Sequence, residues 1–128
     1  MAESPCCCGS GIVEARCCRP ILDGERPAAT AEQLMRSRFT AFAIGNVDHL
    51  LRTWAPETRP RRIDLDGSRR WTRLEVIDTV NGRELATTGI VEFRAHYESA
   101  GRAGSLHERS SFRRHEGRWV YVDGVADP

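Results

Sequence analysis

The chain opens MAESPCCCGSGIVEARCCRP, and all five of its cysteines fall between Cys6 and Cys18. No other feature constrains the fold so strongly. Residues 1–22 carry too few large apolar side chains to bury a core, so a covalent or metallic staple must hold them if they are ordered. Crowded thiols serve disulfides, a metal site or redox chemistry. No apolar run approaches the roughly 20 residues that a membrane-spanning helix needs. The first residues also lack the basic start and apolar stretch of a secretory signal. The chain therefore reads as cytoplasmic and not membrane-associated, in a reducing compartment where structural disulfides are rare. Adjacent cysteines such as Cys17 and Cys18 pair with each other only under strain.

A metal suits the spacing better. Cys6-x-Cys8 on a turn offers two thiolates, and a segment returning after eight residues offers two more at Cys17-Cys18. Zn2+ takes four tetrahedral ligands, and four thiolates close its coordination sphere, which makes such a site structural. Gly9-Ser10-Gly11 supplies backbone with few Cβ atoms, able to wrap an ion and aim N–H groups at sulfur. Folding of residues 1–22 is then coupled to metal binding.

Residues 23–29, DGERPAA, read as a linker, and residues 30–128 as an α+β domain. Thr30-x-x-Gln33 has the form of a capping box for a helix running to about Ile44. Leu34, Met35, Phe39, Ala41 and Phe42 share one broad face of it. Gly45-Asn46 stops this helix and opens a second, where Val47, Leu50, Leu51 and Trp54 recur at helical spacing until Pro56. After an irregular stretch the period changes from 3.6 to 2. RWTRLEVIDTV is a strand and Asn81-Gly82 a hairpin signal. Residues 86–98 form a second strand, SAGRAG a loop, SLHERSSFRRH a third strand, and RWVYVDG a fourth after Glu116-Gly117. Two or three helices packed on one face of a four-stranded antiparallel meander complete the domain.

CCCGSGIVEARCC resembles the SEC-C motif, in which C-P-C-G-S-G precedes a short stretch and then C-C or C-H. The resemblance implies one structural Zn2+ held by Cys6, Cys8, Cys17 and Cys18. Cys7 stands where the motif has proline and is the spare thiol. CCRPILDGERPAATAEQLMRSRFTAF, LLRTWAPETRP and LHERSSFRRHEGRWVYVDG are similar to the bacterial YchJ-like proteins. That family implies a SEC-C knuckle followed by a domain similar to nuclear transport factor 2, a cystatin-like cone. The knuckle of such proteins suggests a protein partner, for which Ile12, Val13 and Ile21 form a candidate contact patch.

A cone of this kind often encloses a cavity, and polar residues on buried faces would mark it. Val91, Phe93, Ala95 and Tyr97 share a face of the second strand. Leu106, Glu108, Ser110 and Phe112 share one of the third, and Trp119 and Tyr121 one of the fourth. Glu108 and Ser110 interrupt this apolar set. Arg38 lies inside the apolar arc of the first helix, whereas Arg36 and Thr40 fall outside it. Buried charges need partners, so Arg38 and Glu108 are expected to approach across the cavity, with Ser110 or Tyr97 completing the network. Arg38, Tyr97, Glu108, Ser110 and Trp119 are the candidate small-ligand residues. No catalytic residue is assigned, and Glu108 and Arg38 are the candidates if the cone is an enzyme.

The nineteen cationic side chains are all arginine against eighteen acids, a net charge of +1, so no overall field steers the chain to nucleic acid. Arg59, Arg61, Arg62, Arg69, Arg70 and Arg73 form a local concentration, interspersed with Glu57, Asp64 and Asp66. This reads as a solvated mixed-charge segment, and a ribosome or RNA contact rests on it alone. His49, His96, His107 and His115 read as surface or rim residues. The leading expectation is a non-enzymatic protein-interaction or ligand-binding module.

Overall fold

The computed structural model describes residues 4–65 and 67–128; Asp66, one of the acids among the clustered arginines, lies outside the described residues. Three helices pack on one face of a four-stranded antiparallel sheet of order β1-β2-β3-β4. The helices are α1 (Cys18–Leu22), α2 (Ala31–Ile44) and α3 (Val47–Arg52), and the strands β1 (Arg69–Asn81), β2 (Thr88–Ser99), β3 (Arg102–His115) and β4 (Arg118–Ala126).

Local chemistry sets these limits. The Thr30 hydroxyl accepts the Gln33 N–H at 3.1 Å, while the Gln33 side chain reaches back to the Ala29 N–H at 2.9 Å. The first bond satisfies a donor that the first helical turn leaves open, and the second ties down the residue before the cap. Gly45 ends α2 in the left-handed region (φ 80°), and Asn46 caps α3 through the His49 N–H at 3.1 Å. The expected second helix stops earlier than Trp54. Residues 53–55 instead run along β4, where Thr53 accepts the Tyr121 N–H and Ala55 donates to the Tyr121 carbonyl, both at 2.8 Å. This short parallel pairing covers part of the β4 edge.

The expected SAGRAG loop is a two-residue turn at Ala100-Gly101, so β2 and β3 are longer than their periodicity suggests. Asn81 and Gly82 both have positive φ, as the hairpin signal requires, but the connection extends to residue 87. Gly82 also meets α2: its carbonyl accepts the Ala31 N–H at 2.9 Å, and a Cβ on it would come within 2.9 Å of the Ala31 Cβ.

β1 carries register shifts between Trp71 and Arg73 and between Val76 and Asp78, and the β3–β4 pair has one at Ser111/Phe112. Such extra residues bend a strand and tighten its twist, curling the sheet around α2. The inner face holds Leu74, Val91, Phe93, Ala95, Phe112 and Trp119, all buried with Leu34, Met35 and Phe39. The outer face carries cross-strand pairs: His107 and Arg109 each lie 2.8 Å from Glu92, and His96 lies 3.2 Å from Glu75. These are solvated partners on the pleat opposite the core.

α2 is enclosed beyond its apolar arc. Ser37, Arg38, Thr40 and Ala41 are buried together with Phe39, a run of five that no single face could cover. The sheet covers one side and α3 another. The cysteine segment covers the side of Arg36 and Thr40, although Thr40 falls outside the apolar arc.

Candidate functional site

The cysteine segment folds back on itself. Pro5 and Val13 form an antiparallel bridge, flanked by Cys6 N–H to the Ile12 carbonyl at 2.8 Å and Glu14 N–H to the Ser4 carbonyl at 3.0 Å. Gly9 turns the chain at φ 81°, its N–H donating to the Cys6 carbonyl at 3.2 Å. A Cβ on Gly9 would press to 3.0 Å from the Leu74 carbonyl of β1. A short 3-10 turn, Glu14–Arg16, then delivers Cys17 and Cys18 to the same point.

There the sulfurs of Cys6, Cys8, Cys17 and Cys18 all lie within 4.8 Å of one another. Cys8 Sγ and Cys17 Sγ are 3.6 Å apart, and Cys17 Sγ and Cys18 Sγ 3.9 Å. Four sulfurs at about 2.3 Å from one tetrahedral ion stand roughly 3.8 Å apart. The donor set therefore fits a metal ion. Without a cation the thiols oppose one another: Cys18 is pushed up by its contact with Cys6 and by burial, while Cys6 is held down by Cys18. Cys7 stands outside the four, solvent-exposed, with its sulfur 3.4 Å from the Thr40 hydroxyl.

Outer contacts tie the cluster to the domain. Arg36 donates to the Cys8 carbonyl at 2.6 Å and pairs with Glu32 at 3.0 Å. The Ser10 hydroxyl lies 3.1 Å from Cys17 Sγ. Cys6, Cys8, Cys18, Ile21 and Leu22 belong to the same buried cluster as the inner face of the sheet. Ile21 is thus a core residue, which removes it from the expected contact patch; Ile12 is half exposed.

On the opposite flank of α2 a cavity of about 280 Å3 opens between the helix and the sheet. Arg38, Glu108 and Ser110 all line it, among walls that include Phe39, Trp71 and Phe93. Arg38 is buried, and its Nη1 donates to the Leu50 carbonyl at 2.9 Å and to Thr53 Oγ1 at 2.8 Å. Its guanidinium lies 5.0 Å from the Trp54 ring centre and 4.6 Å from that of Tyr121, two rings set edge to face. Burial pushes its pKa down to about 10, opposed by the charges of Tyr121 and Glu108, so it stays a cation at neutral pH.

Arg38 and Glu108 face the same cavity, as expected, with Ser110 in the network, but they make no ion pair among the described residues. Tyr121 stands between them, its ring against the guanidinium and its hydroxyl donating to Glu108 Oε1 at 3.3 Å. Ser110 donates to the same oxygen at 3.2 Å. Burial, then the charge of Glu108, pushes the Tyr121 phenol up to about 12. Gly124 makes room for the carboxylate, since a Cβ there would fall 1.9 Å from Oε1.

Tyr97 takes no part in this network. Its ring lies over Gly104, packs against Trp71 at 5.3 Å and carries the Arg69 guanidinium at 4.4 Å. Trp119 pairs with Arg114 near the start of β4 and donates its indole N–H to the Ala29 carbonyl at 3.1 Å, away from the cavity. Both share the inner face with Glu108 but at other levels of a sheet that rises about 3.3 Å per residue.

His49 corrects another expectation. It is buried, not at the rim, with Nε2 2.9 Å from the Ser37 hydroxyl and Nδ1 3.1 Å from Arg52. Burial, then the charges of Arg52 and Arg38, push its pKa down to about 4. The clustered arginines disperse: Arg62 pairs with Asp64, Arg70 with Glu98, and Arg59 donates to the Trp54 carbonyl.

Comparison with known proteins extends these findings. The family model described as "YchJ, middle NTF2-like domain" matches residues 30–124. A UPF0225 protein of Streptomyces coelicolor is 52% identical, with 97% of each chain covered. Another, of Corynebacterium glutamicum, is 46% identical over 95% of this chain and 97% of its own. The solution structure of a SEC-C motif containing protein from Rhodopseudomonas palustris superposes with a TM-score of 0.85 at 36% identity, covering 96% of this chain and 98% of that one. A crystal structure of a SEC-C motif containing protein from Psychrobacter arcticus shares the fold, with a TM-score of 0.77 at 23% identity over 100% of this chain and 84% of that one.

Proposed function

This chain belongs to the YchJ-like UPF0225 family, and from that premise we propose that it is a non-enzymatic ligand-binding module, a zinc-clamped cone whose cavity takes a small molecule. Arg38 carries the reading. It is a buried cation with no carboxylate at ion-pair distance among the described residues, facing a cavity with aromatic walls. Desolvating such a charge costs several kcal/mol unless something compensates it. Two aromatic faces and two acceptors on Nη1 compensate in part. The rest of the guanidinium is left for a guest.

Catalysis is not favoured by the same geometry. A general acid or base works best with a pKa near the working pH. Tyr121 at about 12 stays protonated, and Arg38 at about 10 stays charged. Zinc is assigned to Cys6, Cys8, Cys17 and Cys18 because four thiolates at this separation suit it and leave no open coordination position. Its task is to fold the segment that walls α2. Reduced thiols of this kind belong in the cytoplasm.

A neutral apolar probe tests the reading. Indole titrated into the zinc-loaded chain should shift the backbone amides of Phe93, Ala95, Ser110 and Tyr121. Saturating indole without shifts at the cavity contradicts it.

A further inference from the structure

Resting on that reading, we infer the chemical class of the guest: a small carboxylic acid with a flat apolar body, its carboxylate on Arg38 and a hydrogen-bond donor at its far end on Glu108. The cavity has two poles. At one, Arg38 uses only Nη1 for the Leu50 carbonyl and the Thr53 hydroxyl. Nε and Nη2 carry no hydrogen bond among the described residues, and these two donors form the fork that a carboxylate fits bidentately. The guanidinium carbon lies over the rings of Trp54 and Tyr121, which stand at right angles to each other and confine it.

At the other pole, Glu108 accepts Ser110 and Tyr121 on Oε1 and leaves Oε2 without a bond among the described residues. Tyr121 touches both groups, so the two poles face one cavity on either side of its ring. Between them the wall is apolar, made by Met35, Phe39, Phe93 and Trp71. Space of about 280 Å3 equals on the order of nine waters at roughly 30 Å3 each, enough for one ring with short substituents.

Charge narrows the class further. Arg38 and Glu108 carry the opposite charges of the cavity, while Arg69 is exposed with its guanidinium over Tyr97. A monoanion places its single charge on Arg38 and none against Glu108. A dianion such as a phosphate monoester would set its second charge against Glu108 in a low-dielectric space, and a cation would meet Arg38.

Three probes on one scaffold decide the matter on the zinc-loaded full chain: phenylacetate, its neutral amide phenylacetamide, and 4-hydroxyphenylacetate, each titrated by calorimetry. Phenylacetate should bind at least about tenfold tighter than the amide, because a charge-assisted fork replaces a neutral contact. The 4-hydroxy acid should gain a few-fold more, and Glu108→Gln should reduce that gain. Arg38→Lys keeps the charge without the fork and should lower the acid-over-amide preference. Arg38→Met should remove it, with folding verified by the amide spectrum. The preference within the native chain needs no variant, so the inference stays testable if Arg38→Met fails to fold. Equal binding of acid and amide overturns the inference while indole binding keeps the cavity reading. Absence of binding by all four probes overturns both.

Discussion

Two polar clusters lie on opposite flanks of α2, and they handle burial in opposite ways. On the Arg36–Thr40 flank the four sulfurs face one another, backed by Thr40 and Ser10. On the Arg38–Phe42 flank Arg38 and Glu108 are held apart by Tyr121, with space between helix and sheet. The first is a closed site that needs only an ion to be complete. The second is fully framed and still has donors and acceptors to offer. In the function proposed above, a small domain with one modest core separates what builds the fold from what a guest would use, and the same helix carries both.

The largest expected effect is on the closed side. Cys8→Ser should abolish metal binding, expose amides of residues 4–22 to exchange, and lower the melting temperature by about 10 °C or more. Because Cys6, Cys8 and Cys18 share a core with the sheet, the loss should reach α2 as well. Cys7→Ser, on an exposed thiol, should leave metal content and melting temperature unchanged. Equal losses for Cys7 and Cys8 would erase the distinction between ligand and spare.

Acid should act through His49 of α3, which packs against Ser37 of α2. Its folded pKa of about 4 is below the unfolded value near 6.5, so the unfolded chain takes the proton first. Stability from the neutral imidazole is present above pH 6.5 and lost as pH falls toward 4, on the order of 3 kcal/mol. Ser37, Arg52 and Arg38 face the ring. Urea unfolding at pH 7.5 and 4.5 should show a smaller acid loss for His49→Gln than for the native chain. Parallel losses would mean that His49 already titrates normally.

Gly124→Ala tests the open side with an effect of about 1–2 kcal/mol. The new methyl would overlap Glu108 Oε1, so the Ser110 and Tyr121 bonds should break while zinc stays bound. Unchanged Ser110 and Tyr121 resonances would contradict the packing. Thr30→Ala should lower stability in urea unfolding by about 1 kcal/mol, by removing the α2 cap without touching either flank.

Much of this was legible in the residues. Thr30, Gly45, Asn46, Gly117 and the Cys-x-Cys to Cys-Cys spacing act locally, through caps, left-handed turns and short-range metal geometry, so their signals survive in one dimension. Arg38 and Glu108 were legible because a charge inside an apolar arc breaks a period. What escaped depends on tertiary contacts. Thr40 and Ser37 sit on the polar side of α2, and their burial follows from the cysteine segment and α3 docking there. His49 likewise is covered by neighbours remote in sequence. Alternation identifies a face but not a level along it, so it does not tell Tyr97 from Tyr121 as the partner of Glu108. Only pairing places Tyr121 beside Phe112 and Tyr97 beside Gly104, at different levels of the sheet.

Native mass spectrometry of the purified chain tests the central claim most directly, since it reads metal and thiol state together. The account predicts one zinc per native chain, one in Cys7→Ser and none in Cys8→Ser, with no mass loss for disulfides. A metal-free native chain lighter by the hydrogens of two disulfides would contradict it.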